Sequence, residues 1–157
     1  MTTSKSSPVL SIEDVSIHYE IDAGIVKAVE DVSFSLKKGE RLALVGESGS
    51  GKSTLSKTML GLTPPPGKIV KGRIVLSGKE ISSFSDKEIR RSRLNDIALI
   101  PQGAMNALNP VIKIKEQMVD GMEDHGFKLD KDEKDEKVSQ LLERVGLNKN
   151  VANMYDH

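Results

Sequence analysis

Residues 42–55 read LALVGESGSGKSTL: four apolar residues, a run holding three glycines and two serines, then Lys52, a third serine and a helix-forming tail. The run satisfies G-x-x-x-x-G-K-[ST], with Gly46, Gly51, Lys52 and Ser53 at the fixed positions. Residues 41–46 are continuously apolar after Arg41, as in a buried parallel strand, and 52–60 predict a helix. A small-residue loop in that setting lets the backbone close on phosphate oxygens. Successive N–H groups and the positive end of the following helix then face negative charge. Glu47, Ser48, Gly49, Ser50 and Thr54 complete the loop. Lys52 is placed to supply a point charge to the terminal phosphates, and Ser53 to offer a hydroxyl to magnesium.

The rest of the chain narrows what such a loop can belong to. Among 157 residues, 37% are hydrophobic and only 3% aromatic, which predicts an aliphatic core of the kind that lines α/β sheets. Lys plus Arg and Asp plus Glu are both 23, so the electrostatic footprint of a nucleic-acid binder is missing. With no Cys there is no disulfide or thiolate metal site, and the simplest reading is a reducing compartment. The unbroken apolar runs 42–45 and 97–100 are four residues long, whereas a bilayer span takes about twenty.

Residues 9–19 and 32–39 alternate apolar and polar positions and predict half-buried antiparallel strands. Residues 69–81 add a third such ribbon after the Pro64, Pro65, Pro66, Gly67 breaker. Residues 86–94 predict a short basic helix capped by Ser85, followed by an apolar strand over 95–100 that Pro101 stops. Beyond residue 102 the pattern turns to loop and helix, with helices predicted over 114–125 and 130–145. The expected organisation is a core with an antiparallel β subdomain over 1–102 and a helical part over 103–157. Nine of the ten residues 128–137 are charged. They do not make a calcium loop, because Lys134 and Asp135 stand where an oxygen ligand and Gly are needed. Pairs Asp130–Lys134 and Glu133–Lys137 on a solvated face are expected instead, with Val138, Leu141, Leu142 and Val145 facing a core and Gly146 ending the helix. His18, His125 and His157 form no ligand-like group, and Met118 and Met122 read as helix-face packing.

A dinucleotide fingerprint is excluded by Ser48 and Thr54, which occupy positions that would require Gly. A GTPase is disfavoured because no Asp is followed three places later by Gly. The second informative site is ALIPQGAMNALNP, residues 98–110, where Gln102 follows the carboxyl end of an apolar run, the place open α/β sheets put ligand contacts.

With GESGSGKST and Gln102 together, the chain resembles the ATP-binding subunit of ABC transporters. The segments VKAVEDVSF, LVGESGSGKST, PPPGKIVKGRI and QGAMNALNP resemble the oligopeptide, dipeptide and nickel importer group. The resemblance implies an α/β P-loop NTPase of ABC type, with a parallel sheet core, an antiparallel β subdomain and an incomplete helical subdomain. It implies ATP and magnesium as ligands, with Ser53 and Gln102 toward the metal and Tyr19 as the aromatic that stacks on adenine, a contact of about 1–3 kcal/mol. It also implies membrane-spanning permease subunits, a second ATP-binding subunit, an extracytoplasmic solute-binding protein acting indirectly, no nucleic acid, and a peripheral position on the cytoplasmic membrane face. Residues 107–110 are expected near the permease contact. After MYDH the family pattern continues into a signature motif, an apolar run closed by Asp, a catalytic Glu and a switch His. None of these occurs in the sequence, so no catalytic residue is assigned; the chain reads as the first half of a longer protein that couples ATP binding and hydrolysis to uptake of oligopeptides or dipeptides, and this half alone is expected to bind ATP weakly without turning it over. Two other readings stay open: a non-catalytic nucleotide-binding module, and a soluble ABC ATPase without transport.

Overall fold

The computed structural model describes residues 7–101 and 107–155, which belong to two compact units, Met1–Leu99 and Ile100–His157. In the first, strands β1 (Leu10–Ile21), β2 (Gly24–Leu36), β3 (Gly67–Leu76) and β4 (Lys79–Glu80) form one antiparallel sheet in the order β2-β1-β3-β4. β1 turns directly into β2 with Ile21 opposite Gly24, and β3 pairs with its other edge. Ile12, Val15, Ile17 and Ile74 are all but sealed from solvent. Each such burial contributes about 1.5–3 kcal/mol.

The alternation along β1 and β2 changes phase once in each strand. Buried Ile12 is followed by buried Val15, and buried Val29 by half-buried Val32, a spacing that a regular strand would place on opposite faces. The cause is a residue at positive φ in each strand, Asp14 (φ 48) and Asp31 (φ 49), lying beside register shifts in the β1–β2 ladder. Both sit in the same tetrapeptide, EDVS, at 13–16 and 30–33. The two copies satisfy each other. Asp14 N–H donates to Ser33 Oγ at 2.8 Å and Asp31 N–H donates to Ser16 Oγ at 3.0 Å, while Ser33 Oγ donates back to Asp14 Oδ1 at 3.0 Å. This explains how Ser16 is buried without leaving an unsatisfied hydroxyl. On β3, Gly72 (φ 79) follows the same bend: a Cβ there would lie 2.2 Å from Glu13 O.

Helix α1 (Lys52–Thr58) sets Leu55 into the same core. Helix α2 (Asp86–Ser92) starts at Ser85, as expected. The Glu88 carboxylate accepts from Ser85 N–H at 2.9 Å and Ser85 Oγ at 2.6 Å, which holds its pKa below the ordinary carboxylate range.

Two expected strands are not formed. Residues 40–47 adopt no regular structure, and Val45 is 90% exposed. Residues 92–97 make a tight turn, with Leu94 N–H donating to Ile97 O at 2.8 Å and a single parallel bridge between Arg93 and Ile97. Ile100 beyond it is 90% exposed. A parallel strand draws its hydrogen bonds from strands reached by crossover connections. Among the described residues no such partner pairs with 42–45 or 98–100, so the parallel core sheet that the sequence predicts is absent there.

In the second unit, helices α3 (Ile114–Asp124) and α4 (Lys131–Arg144) and a 3-10 turn (Lys149–Asn153) enclose Val138, Leu142 and Ala152 against Met118, Val119, Met122 and Val151. Asp130 and Glu133 cap α4 reciprocally, each side chain accepting from the other's backbone N–H at 2.9 Å. The expected Asp130–Lys134 pair is therefore replaced: Lys134 reaches across to Glu123 at 2.6 Å. Val145, expected on the core face, is 71% exposed. It caps the helix just before Gly146 (φ 79), where the chain leaves its axis. No helix among the described residues is long and apolar enough to cross a membrane.

Candidate functional site

The loop from Gly46 to Lys52 is closed by its own lysine. Lys52 Nζ donates to Gly46 O at 2.9 Å, to Glu47 O at 2.5 Å and to Ser50 Oγ at 2.8 Å, so all three ammonium protons are directed at the loop. Ser50 N–H donates to Glu47 O at 3.3 Å, a turn that brings the serine hydroxyl to the ammonium. The result is a solvent-exposed ring of backbone with a cation held inside it.

Two of the glycines lie close against neighbouring atoms, and for Gly51 the neighbour is backbone. A Cβ on Gly46 would stand 2.9 Å from Ser50 Oγ and 3.8 Å from Lys52 Nζ, inside the ring. Gly51 (φ 85) presses on β2, where a Cβ would be 2.3 Å from Ala28 O. Gly49 (φ 82) has open space around it and needs only conformational freedom. Gly51 is also the N-cap of α1, no side chain caps that end, and its first turn contains no acidic residue. The first-turn amides, those of Lys52 and Ser53 included, have no intrahelical acceptor. An anion is what this end of the helix lacks.

Such a ring fits a chain of phosphates: small residues where side chains would fill the space, uncapped amides and a fixed cation converge on it. Ser53 is exposed in the first turn, and Thr54 directs its carbonyl inward to Thr58 Oγ1 at 2.8 Å. Among the described residues no group of three or more His, Asp or Glu is disposed to hold a metal. Gln102 lies outside the described residues. Tyr19 is half-buried on β1 with its ring across Gly67; a Cβ there would meet Cε1 at 2.5 Å and Thr63 Cγ2 at 2.8 Å. The ring thus packs against the sheet core. Reading the sequence missed the seat that Ala28 provides for Gly51. No local pattern signals a backbone contact between residues so far apart in the chain.

Comparison with known proteins supplies the family. The family model described as ABC transporter matches residues 29–156. A dipeptide transport ATP-binding protein of Caldanaerobacter subterraneus subsp. tengcongensis is 37% identical over 150 residues, covering 95% of this chain and 46% of that protein. The oligopeptide transport ATP-binding protein AppF of Bacillus subtilis is 37% identical over 164 residues, covering 100% of this chain and 48% of its own length. A dipeptide transport ATP-binding protein of the same organism is 40% identical over 140 residues, 88% of this chain and 42% of that protein. The chain thus spans about half the length of these curated relatives. Among solved structures, the dimeric post-hydrolysis state of the ATP-binding cassette MJ0796 bound to ADP and Pi superposes with a TM-score of 0.75 at 20% identity, over 93% of this chain and 61% of that one. That likeness shows the α/β fold of an ATP-binding cassette. By the span of the family match and the cassette fold together, the chain belongs to the ABC transporter family, and its curated relatives are ATP-binding proteins of dipeptide and oligopeptide transport.

Proposed function

We propose that this chain carries the nucleotide-gripping part of the ATP-binding subunit of an importer for dipeptides or oligopeptides. One observation carries the reading: Lys52 is held inside the 46–51 ring at the uncapped start of α1. Lys52 and the first-turn amides bind the β and γ phosphates, and Ser53, with Gln102, is assigned to magnesium. When bound, magnesium would offset phosphate charge. Tyr19 is assigned to the adenine. The partners are membrane-spanning permease subunits and a second ATP-binding subunit, and the peptide substrate class follows the names of the relatives. In this reading the chain binds ATP, while hydrolysis calls for a water-positioning carboxylate that no apolar run closed by Asp-Glu provides in this sequence.

Titration with MgATP tests the reading. The chain is expected to show saturable binding that Lys52→Ala weakens about 10- to 100-fold, the worth of a charge-assisted contact to phosphate. Phosphate release is expected to stay at the uncatalysed rate. Equal binding by Lys52→Ala would remove the phosphate ring as the site, and turnover abolished by that substitution would overturn the binding-only reading.

A further inference from the structure

The contacts at the far end of α1 carry a second role that the loop motif does not include. We propose that Arg93 is the positioning residue of the phosphate loop, fixing the end of α1 opposite Lys52 and so the direction in which the first-turn amides and the lysine point. This rests on the reading that the loop grips phosphate.

α1 has seven residues. Isolated helices shorter than about 12–15 residues are marginal in water, so the direction of this one is set by what holds its ends. Its start is seated on Ala28 through Gly51. At its exit, backbone donors are satisfied locally: Leu60 N–H reaches Lys57 O at 3.0 Å and Gly61 N–H reaches Thr58 O at 3.0 Å. The carbonyls of Leu60 and Gly61 point onward, and Arg93 receives both. Its Nε donates to Leu60 O at 2.9 Å and its Nη2 donates to Gly61 O at 3.1 Å. A guanidinium at the negative end of a helix is favourable by charge, and its rigid planar fork sets the angle between the two carbonyls as well as their distance.

The clamp has an apolar half. Ile89, one turn earlier on α2, fills the space beside Gly61, where a Cβ would meet its Cγ1 at 2.6 Å. Ile89 is buried in the sheet core. Arg93 is anchored in turn by its own N–H, which donates to Ile89 O at 3.1 Å, and by its bridge to Ile97. α2, locked at its start by Ser85 and Glu88, therefore serves as the arm that presents Ile89 and Arg93 to α1.

The test compares the chain with its Arg93→Gln and Arg93→Lys forms, Lys52→Ala being the binding control. Amide hydrogen exchange is read without nucleotide over 52–58 and over β1, and MgATP affinity is read by titration. Arg93→Gln is expected to speed exchange in α1 about tenfold, leave β1 unchanged and weaken MgATP about tenfold. Arg93→Lys keeps the charge without the fork and is expected to stay within about threefold of the Gln form. Should the Gln form fail to fold, the Lys form carries the same comparison. Unchanged exchange and affinity overturn the proposal, as does faster exchange spread equally over β1. Selective loosening of α1 in a chain that binds no MgATP supports the clamp and sinks the phosphate reading instead, so the two failures are told apart.

Discussion

The β1–β2 hairpin, alternately apolar and polar, and the wholly apolar residues 42–45 are both strand-like in composition and opposite in outcome. β1 meets its partner at once across the turn between Ile21 and Gly24, and its inward side chains vanish from solvent. Residues 42–45 carry Leu, Ala, Leu and Val in succession, yet Leu42 is 52% exposed and Val45 90%. Apolar character selects a strand only where a neighbour supplies hydrogen bonds. Antiparallel neighbours come from the adjacent sequence, whereas parallel neighbours arrive by crossover. Composition reports what a segment would bury, and topology decides whether it does.

Three measurements can break or sharpen that contrast. The largest effect is expected at the centre of β1, where Ile17→Ala should cost about 2–5 kcal/mol in denaturant unfolding; a loss near zero would move the stabilising core away from the sheet. A smaller effect lies in acid. Hydrogen bonds from Arg73, Lys71 and Ser85 hold the carboxyls of Glu13, Asp31 and Glu88, in that order, below their ordinary range. A folded pKa below the unfolded one means stability that is present at neutral pH and lost as pH falls below about 4. Lys71 and Arg73, raised by the same partners, act only at the alkaline end. The groups are exposed and screened, so the decline in thermal midpoint between neutral pH and about pH 3 should be modest, and Asp31→Asn should shrink it. A midpoint that rises on acidification would contradict these pairings. The smallest effect is expected at Val45→Asp, within about 0.5 kcal/mol of the parent, because the side chain touches little. A large loss there would show that 42–45 is paired in solution after all.

Much of this molecule is legible in its residues, and what is not has identifiable causes. β1, β3, the four helices and the glycine-rich ring follow from alternation, capping residues and one spaced motif, all of them local, whereas β2 (Gly24–Leu36) is legible only over its last residues, 32–36. Gly46, Gly51, Lys52 and Ser53 need no tertiary knowledge to be singled out. The phase jump in β1 and β2 was written twice as EDVS, but its meaning requires knowing that the two copies lie side by side. Arg93 was one of several basic residues around α2. Nothing before the fold distinguishes the one whose guanidinium meets the end of α1. The charge run in α4 shows the converse: pairing rules by spacing named Asp130 with Lys134, and the unfilled amides at the helix start took the carboxylate first.

The twin EDVS bends make the hairpin a lock with matched notches. Because each aspartate amide is answered by the serine of the other copy, sliding one strand past the other by a single residue would break both exchanges and turn Ile12, Val15 and Ile17 outward together. An insertion or deletion in either strand is therefore tolerable only if its mate changes in step, and the platform behind Gly51 inherits that all-or-nothing alignment through Ala28.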